Sequence, residues 1–189
     1  MGALHLITGG SGSGKSAFAE RLVMEAASSR SLQGLSSEKI YLASMHRDSS
    51  REFQKRLRRH LALRAGKGFV TWEQETCLPS LLPRIRSDHI ILLEDLPNLL
   101  ANETYGQNGC LSPDAFDEYA LTEGIIRPLL AITKKSACLA VVTGEIFTDD
   151  PPQDSSTRLY IRSLAFLNTA LARAADTFTE VVCGIPVNL

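Results

Sequence analysis

Short apolar runs alternate with longer stretches of helical periodicity along most of the chain. The apolar runs have the length of strands and are nearly continuous, which is typical of strands that are covered on both faces. Six strands are predicted, at residues 3–8, 39–44, 68–73, 88–95, 138–145 and 177–185. Their alternation with helical segments favours a mostly parallel sheet flanked by helices on both sides.

Between the predicted strands, apolar positions recur at three- and four-residue intervals, as they do on one face of a helix. Four helices are predicted, at residues 15–29, 50–65, 113–135 and 155–175. Pro128 predicts a bend or an interruption in the third, because proline lacks a backbone N–H donor. No repeat or linker divides the 189 residues. The sequence therefore predicts one α/β domain over residues 1–189.

Composition limits the classes of partner. A net charge of -1 gives no reason to expect a nucleic-acid partner, and no apolar run approaches the roughly 18–20 residues of a membrane span. The four cysteines are scattered without a CxxC pair, which predicts reduced, mostly buried thiols. The first predicted strand begins at residue 3, which leaves no room for a signal peptide. We therefore expect a cytoplasmic protein without a membrane span.

The stretch at residues 9–16, GGSGSGKS, fits the pattern of a phosphate-binding P-loop between a strand and a helix. Glycine lets the backbone wrap closely around phosphate oxygens, and the helix N-terminus attracts the anion. Lys15 is placed to reach the β- and γ-phosphates, and the Ser16 hydroxyl to coordinate Mg²⁺. The sequence thus predicts a P-loop, RecA-like domain in which eight loop residues bind the nucleotide: Gly9, Gly10, Ser11, Gly12, Ser13, Gly14, Lys15 and Ser16.

An acidic partner for the metal is expected at the end of another strand. The run IILLED offers Glu94 and Asp95, and because alternate strand residues face opposite ways, at most one of them is expected to face the phosphates. Two solvated acids that open a loop are the alternative. We assign Glu94 to the metal together with Ser16.

The predicted helix at 50–65 carries Arg56, His60 and Arg64 at four-residue spacing, so the three side chains form one stripe. Two flanking cations disfavour the charged imidazolium, and a neutral imidazole can attack a phosphoryl group while the arginines balance the developing charge. A basic, solvated helix face with an incidental histidine is the alternative, and the spacing alone favours it.

The order of the motifs resembles one family, the bifunctional adenosylcobinamide kinase/adenosylcobinamide-phosphate guanylyltransferases of cobalamin biosynthesis. The similar segments are LITGGSGSGKSAFAERL, YLAS, RLRRHLALR followed by Trp72, ILLED, VVTGE and LNTALARAADTFTEVVCGIPVNL. The likeness covers most of the chain. The ordered set is far more specific than the P-loop alone.

The resemblance implies two reactions, phosphorylation of adenosylcobinamide by ATP or GTP and transfer of GMP from GTP to adenosylcobinamide phosphate. It implies that His60 carries the GMP and that the protein is a homotrimer. It also implies further nucleotide contacts, at Leu42, Ala43, Ser44, Leu61, Ala62, Leu63, Arg64, Glu75 and Glu94. Two alternatives stay open: a P-loop kinase with a different small-molecule acceptor and no guanylyl transfer, and a non-catalytic nucleotide-binding regulatory protein.

Overall fold

The computed structural model describes residues 2–45, 66–146 and 154–189. Within these ranges seven strands form one sheet in the order β3-β2-β4-β5-β1-β6-β7. The strands are β1 Ala3–Thr8, β2 Glu38–Ala43, β3 Phe69–Glu73, β4 His89–Glu94, β5 Cys138–Val142, β6 Thr177–Val182 and β7 Ile185–Asn188. Every neighbouring pair is parallel except β6 with β7, which is antiparallel. The predicted mostly parallel α/β fold is confirmed.

The helices of the described ranges are α1 Lys15–Leu32, α2 Leu96–Tyr105, α3 Glu118–Leu121, α4 Arg127–Lys135 and α5 Ser155–Ala174, with a 3-10 turn at Leu78–Leu81. The interruption expected at Pro128 is a π-helical turn, Thr122–Ile126, which joins α3 to α4 and ends two residues before the proline. Residues 113–117 are not helical, so the third predicted helix begins five residues too early. The predicted helix at 50–65 lies outside the described residues.

Two elements were not predicted, α2 and β7. Helix α2 has Pro97 in its first turn and buries Leu96, Leu99 and Leu100, and the side chain of Asp95 caps its N-terminus. The last predicted strand, at residues 177–185, runs through the turn into the first residue of β7, and residues 186–188 were not predicted to form a strand. The chain instead turns back after Val182, because Cys183 and Gly184 both have positive φ, of 50° and 82°. Such a two-residue turn suits a β-hairpin.

Apolar side chains cover both faces of the sheet, which explains the continuous apolar strands. Leu92 points towards α1 and its neighbour Leu93 towards the helices of the other face. The register places Ala43, Glu94 and Val142 side by side where β2, β4 and β5 end. The loops that follow these strands therefore meet at one edge of the sheet, where ligands bind in open parallel sheets.

Candidate functional site

The predicted P-loop connects β1 to α1 and has a tightly curled backbone. Gly9 has a φ of 147°, and a Cβ there would lie 2.5 Å from the carbonyl oxygen of Val181, so no larger residue fits. The N–H of Ser13 donates to the carbonyl of Gly10 at 3.2 Å. The Lys15 ammonium donates to the same carbonyl at 3.1 Å. The loop therefore curls so that its lysine lies over its own backbone.

The first turn of α1 begins immediately after the loop. Gly14 is left-handed, with a φ of 94°, and no side chain of the described residues caps the turn. Uncapped N–H groups at a helix start carry partial positive charge and bind anions. The eight residues predicted from the motif are thus brought together in an arrangement that suits the phosphates of a nucleotide.

The two acids at the end of β4 have different surroundings. Glu94 is buried, and the Tyr41 hydroxyl donates to its Oε2 at 3.3 Å. Asp95 caps α2, since its Oδ1 accepts the N–H of Asn98 at 2.9 Å. Burial raises the pKa of Asp95, and the charge of Lys15 opposes that rise. The acidic strand end is therefore within electrostatic reach of the P-loop lysine.

Ser44 links this acidic end to the neighbouring strand β2. Its side chain is fully buried, and its Oγ donates to the carbonyl of Asp95 at 2.8 Å. The amide of Asn102 donates to the carbonyl of Ser44 at 2.6 Å. The Leu42 side chain is buried in the core, so a nucleotide at this strand end would meet the backbone of Leu42 rather than its side chain. The nucleotide contacts of Leu42, Ala43 and Ser44 stay predictions.

A cavity of about 700 Å³ opens beside this strand end, next to Asn102. Its walls come from the segment after β3 and from the end of α2, and they are rich in carboxylates and amides: Glu73, Gln74, Glu75, Thr76, Ala101, Asn102, Tyr105, Gly106, Gln107 and Asn108. The volume lies within the range of ligand pockets, about 300–1,000 Å³. Glu75, predicted to contact the nucleotide, is one of its acids.

The model of the family described as cobinamide kinase / cobinamide phosphate guanyltransferase matches residues 5–189. The chain belongs to this family. Two similar relatives are both named bifunctional adenosylcobalamin biosynthesis protein CobU. The one from Escherichia coli (strain K12) is 29% identical over 189 residues, which cover 97% of this chain and 98% of the relative. The one from Salmonella typhimurium (strain LT2) is 28% identical over 192 residues, with the same coverage of both chains.

The predicted carrier of the GMP in the guanylyl reaction is a histidine, His60. His60 and the four residues after it, Leu61 to Arg64, lie outside the described residues. Two of the remaining histidines have structural contacts: His5 bonds Thr177 Oγ1 at 2.7 Å, and the buried His89 packs edge-on against Trp72. Both contacts give these side chains structural roles. His60 stays the predicted nucleophile.

The cysteines are free, as predicted, but three of the four are exposed. The expectation of mostly buried thiols was wrong. Cys77 and Cys183 occupy turns with positive φ, and turns lie at the surface. Cys138 alone is buried in the sheet, and burial raises the pKa of its thiol to about 12.

Sequence reasoning missed two residues that hold the segments after β2 and β3 in place, Asn102 and Glu103. Asn102 bonds Ser44, as described above. The carboxylate of Glu103 is buried and accepts the N–H groups of Cys77 at 2.6 Å and Cys110 at 3.2 Å. Both residues lie on the unpredicted helix α2. In the sequence, the one indication of their role is that two adjacent polar residues follow the apolar start of this short helix.

No helix of the described ranges is long and apolar enough to cross a bilayer.

Proposed function

We propose that the chain catalyses both reactions named for its family. In the first, the γ-phosphoryl group of ATP or GTP passes to the hydroxyl of the aminopropanol arm of adenosylcobinamide. In the second, GMP from GTP passes to the resulting phosphate. The observation that carries the proposal is the family match over residues 5–189, which includes the complete P-loop.

For the kinase reaction, the P-loop amides, the start of α1 and Lys15 would hold the β- and γ-phosphates. The acceptor hydroxyl attacks the γ-phosphorus, the bond to the β-phosphate oxygen breaks, and the nucleoside diphosphate leaves. Lys15 stabilises the negative charge that develops on the transferred group. The groups that bind the phosphates do not include the acids at the end of β4, so these acids remain available to bind the metal ion.

Ser16 and Glu94 are the residues we assign to Mg²⁺. A hydroxyl and a carboxylate are hard oxygen donors, which this ion prefers, so the side chains present suit it. The ion neutralises phosphate charge when it is bound. Asp95, being partly committed to capping α2, is the weaker candidate.

For the guanylyl reaction, a ring nitrogen of His60 would attack the α-phosphorus of GTP. A P–N bond forms, the bond to the pyrophosphate oxygen breaks, and pyrophosphate leaves. The phosphate of the corrinoid then attacks the same phosphorus and restores the imidazole. We place the guanine in the cavity beside Glu75, because a carboxylate can accept hydrogen bonds from the N1–H and the 2-amino group of this base.

The decisive experiment incubates the protein with Mg²⁺ and GTP labelled at the α-phosphate, followed by denaturation. We expect an acid-labile, base-stable label on the protein that is lost in His60→Ala and kept in the control His5→Ala. Acceptor-dependent phosphorylation without any label would favour a P-loop kinase without guanylyl transfer. Nucleotide binding with no acceptor-dependent turnover would favour the regulatory alternative.

We further propose that the protein works as a homotrimer, in keeping with the resemblance. Sedimentation equilibrium of the purified protein should give three times the chain mass of 20.6 kDa. A mass of one chain at the concentrations used in the activity assays contradicts the proposal. Cytoplasmic localisation also stays a prediction.

A further inference from the structure

A second cavity, of about 310 Å³, lies on the other side of the P-loop. One wall is the loop itself and the other is the end of β6 with the turn that follows, so we call it the hairpin cavity. It is lined by Gly10, Ser11, Gly12, Ser13, Glu180, Val181, Val182 and Cys183. In the sheet, β6 and β4 lie on opposite sides of β1. The hairpin cavity therefore flanks the loop opposite the acidic strand end and the Glu75 cavity.

The two walls are fixed to each other. The N–H of Gly184 donates to the carbonyl of Ser13 at 2.8 Å, which joins the hairpin turn to the loop. The close approach of Gly9 to the carbonyl of Val181 joins them at a second point. A cleft held at two points is preformed, and a preformed cleft costs a ligand less ordering than a flexible one.

The lining suits a flat, partly apolar group with a few polar atoms. Val182 offers an apolar surface and is 47% exposed. Glu180 supplies a carboxylate acceptor in the same cavity. The hydroxyl of Ser13 is buried and has no hydrogen-bond partner among the described residues, which is rare in a folded protein. Apolar walls with few polar groups are the usual chemistry of a small-molecule site.

The two proposed reactions need different placements of the triphosphate. The kinase reaction breaks the bond at the γ-phosphorus, whereas guanylyl transfer breaks the bond at the α-phosphorus, two phosphates nearer the base. The described residues contain one P-loop, which would bind the triphosphate in both reactions. A nucleotide bound in one orientation would present only one of these atoms to its partner. Two sites for the base, one on each side of the loop, resolve this conflict.

We propose that the hairpin cavity binds the base and ribose of the nucleoside triphosphate that donates the γ-phosphoryl group. The GTP used for guanylyl transfer places its base on the opposite side, near Glu75. This inference rests on the proposed function, since it divides the two reactions between two orientations of the nucleotide. Val182 and Glu180 then contact the phosphoryl donor and not the guanylyl donor.

The test compares two matched substitutions, Val182→Trp in the cavity and Val70→Trp as a control. Val70 is 42% exposed and lies on β3 at the far side of the sheet, so both variants add the same bulk at a half-exposed site. Calorimetric titration with ATP should show a Kd at least tenfold higher for Val182→Trp and unchanged for Val70→Trp. The yield of protein-bound label from α-labelled GTP should change less than twofold in either variant.

Equal losses of ATP binding and of the GMP label in Val182→Trp would overturn the two-orientation proposal, as would ATP binding equal to that of the wild type. A photoreactive azido-ATP provides a second readout that needs no turnover. We expect it to label the peptide 177–189, and labelling confined to the Glu75 cavity would contradict the proposal. If the wild type binds ATP in the hairpin cavity but forms no GMP adduct, the proposed function fails while the nucleotide site stands.

Discussion

The hydroxyl of Ser44 donates a hydrogen bond of 2.8 Å to the carbonyl oxygen of Asp95, and this bond ties the end of β2 to the residue after β4. Ser44→Ala removes it at a fully buried position and leaves the carbonyl without this donor. We expect a loss of about 1–3 kcal/mol in the free energy of unfolding, measured by urea denaturation.

The matched control is Ser28→Ala. Ser28 lies exposed on α1 and bonds the carbonyl of Met24 within the same helix, a bond that contributes little to stability. Its unfolding free energy should stay within about 0.5 kcal/mol of the wild type. Equal losses in both variants would show that the link between Ser44 and Asp95 has no special role.

Removal of the P-loop ammonium tests the phosphate grip. Lys15→Ala should abolish both phosphorylation and guanylyl transfer, because the same loop holds the triphosphate in both reactions. We expect kcat/KM to fall at least about 100-fold, the scale seen when a group that stabilises developing charge is deleted. Lys134→Ala, on the exposed face of α4, should keep full activity. Full kinase activity in Lys15→Ala would refute the P-loop assignment.

The pH dependence of stability tests the environment of Asp95. Burial raises its pKa in the folded chain, so the folded chain binds more protons than the unfolded chain between the two pKa values. The favourable contribution of protonated Asp95 is complete below the unfolded value and is lost as the pH rises through the folded value. Between these two pKa values, the free energy of unfolding of the wild type therefore falls as the pH rises.

Asp95→Asn keeps an oxygen that can accept the N–H of Asn98 but carries no charge. Relative to the wild type, this variant should gain unfolding free energy as the pH rises from about 4 to about 7. Asp95→Ala should have a free energy of unfolding about 1 kcal/mol lower than that of Asp95→Asn, since it also removes the helix cap. Urea denaturation at the two pH values measures the free energy of unfolding of each protein. If Asp95→Asn differs from the wild type by the same amount at both pH values, the raised pKa of Asp95 is contradicted.

The buried carboxylate of Glu103 should be important for stability. Glu103→Ala leaves the part-buried N–H groups of Cys77 and Cys110 without their acceptor, and each lost hydrogen bond costs about 1 kcal/mol, or more where the acceptor is charged. We expect a loss of about 2–4 kcal/mol by thermal or urea unfolding. Glu25→Ala, exposed on α1, is the control and should stay near the wild type. A loss below about 0.5 kcal/mol in Glu103→Ala would mean that water replaces the carboxylate.

The parts of the fold that follow from local patterns were predictable. Strand β4 is apolar at four successive positions, residues 90–93, because both faces of the sheet are covered there. Helix α2 was not predictable from its own residues. It has a proline near its start and only ten residues, and it is stabilised by the Asp95 cap and by contacts distant in sequence.

The same distinction applies to the site. The P-loop was predictable because its chemistry lies in eight consecutive residues. The link between Asn102 and Ser44 spans 58 positions, and the one between Glu103 and Cys77 spans 26, so no local spacing reveals them. The hairpin turn escaped prediction because Cys183 is not a residue type that favours positive φ.

The bond between Gly184 and Ser13 joins residues that lie far apart along the chain. Strand β1 also lies between β5 and β6, both of which come from the second half of the chain. During synthesis the P-loop sequence leaves the ribosome long before either neighbour exists. The loop can acquire its final shape only after residue 184 has emerged, so nucleotide binding by a nascent chain would report the addition of β6 and the hairpin turn to the sheet rather than early folding.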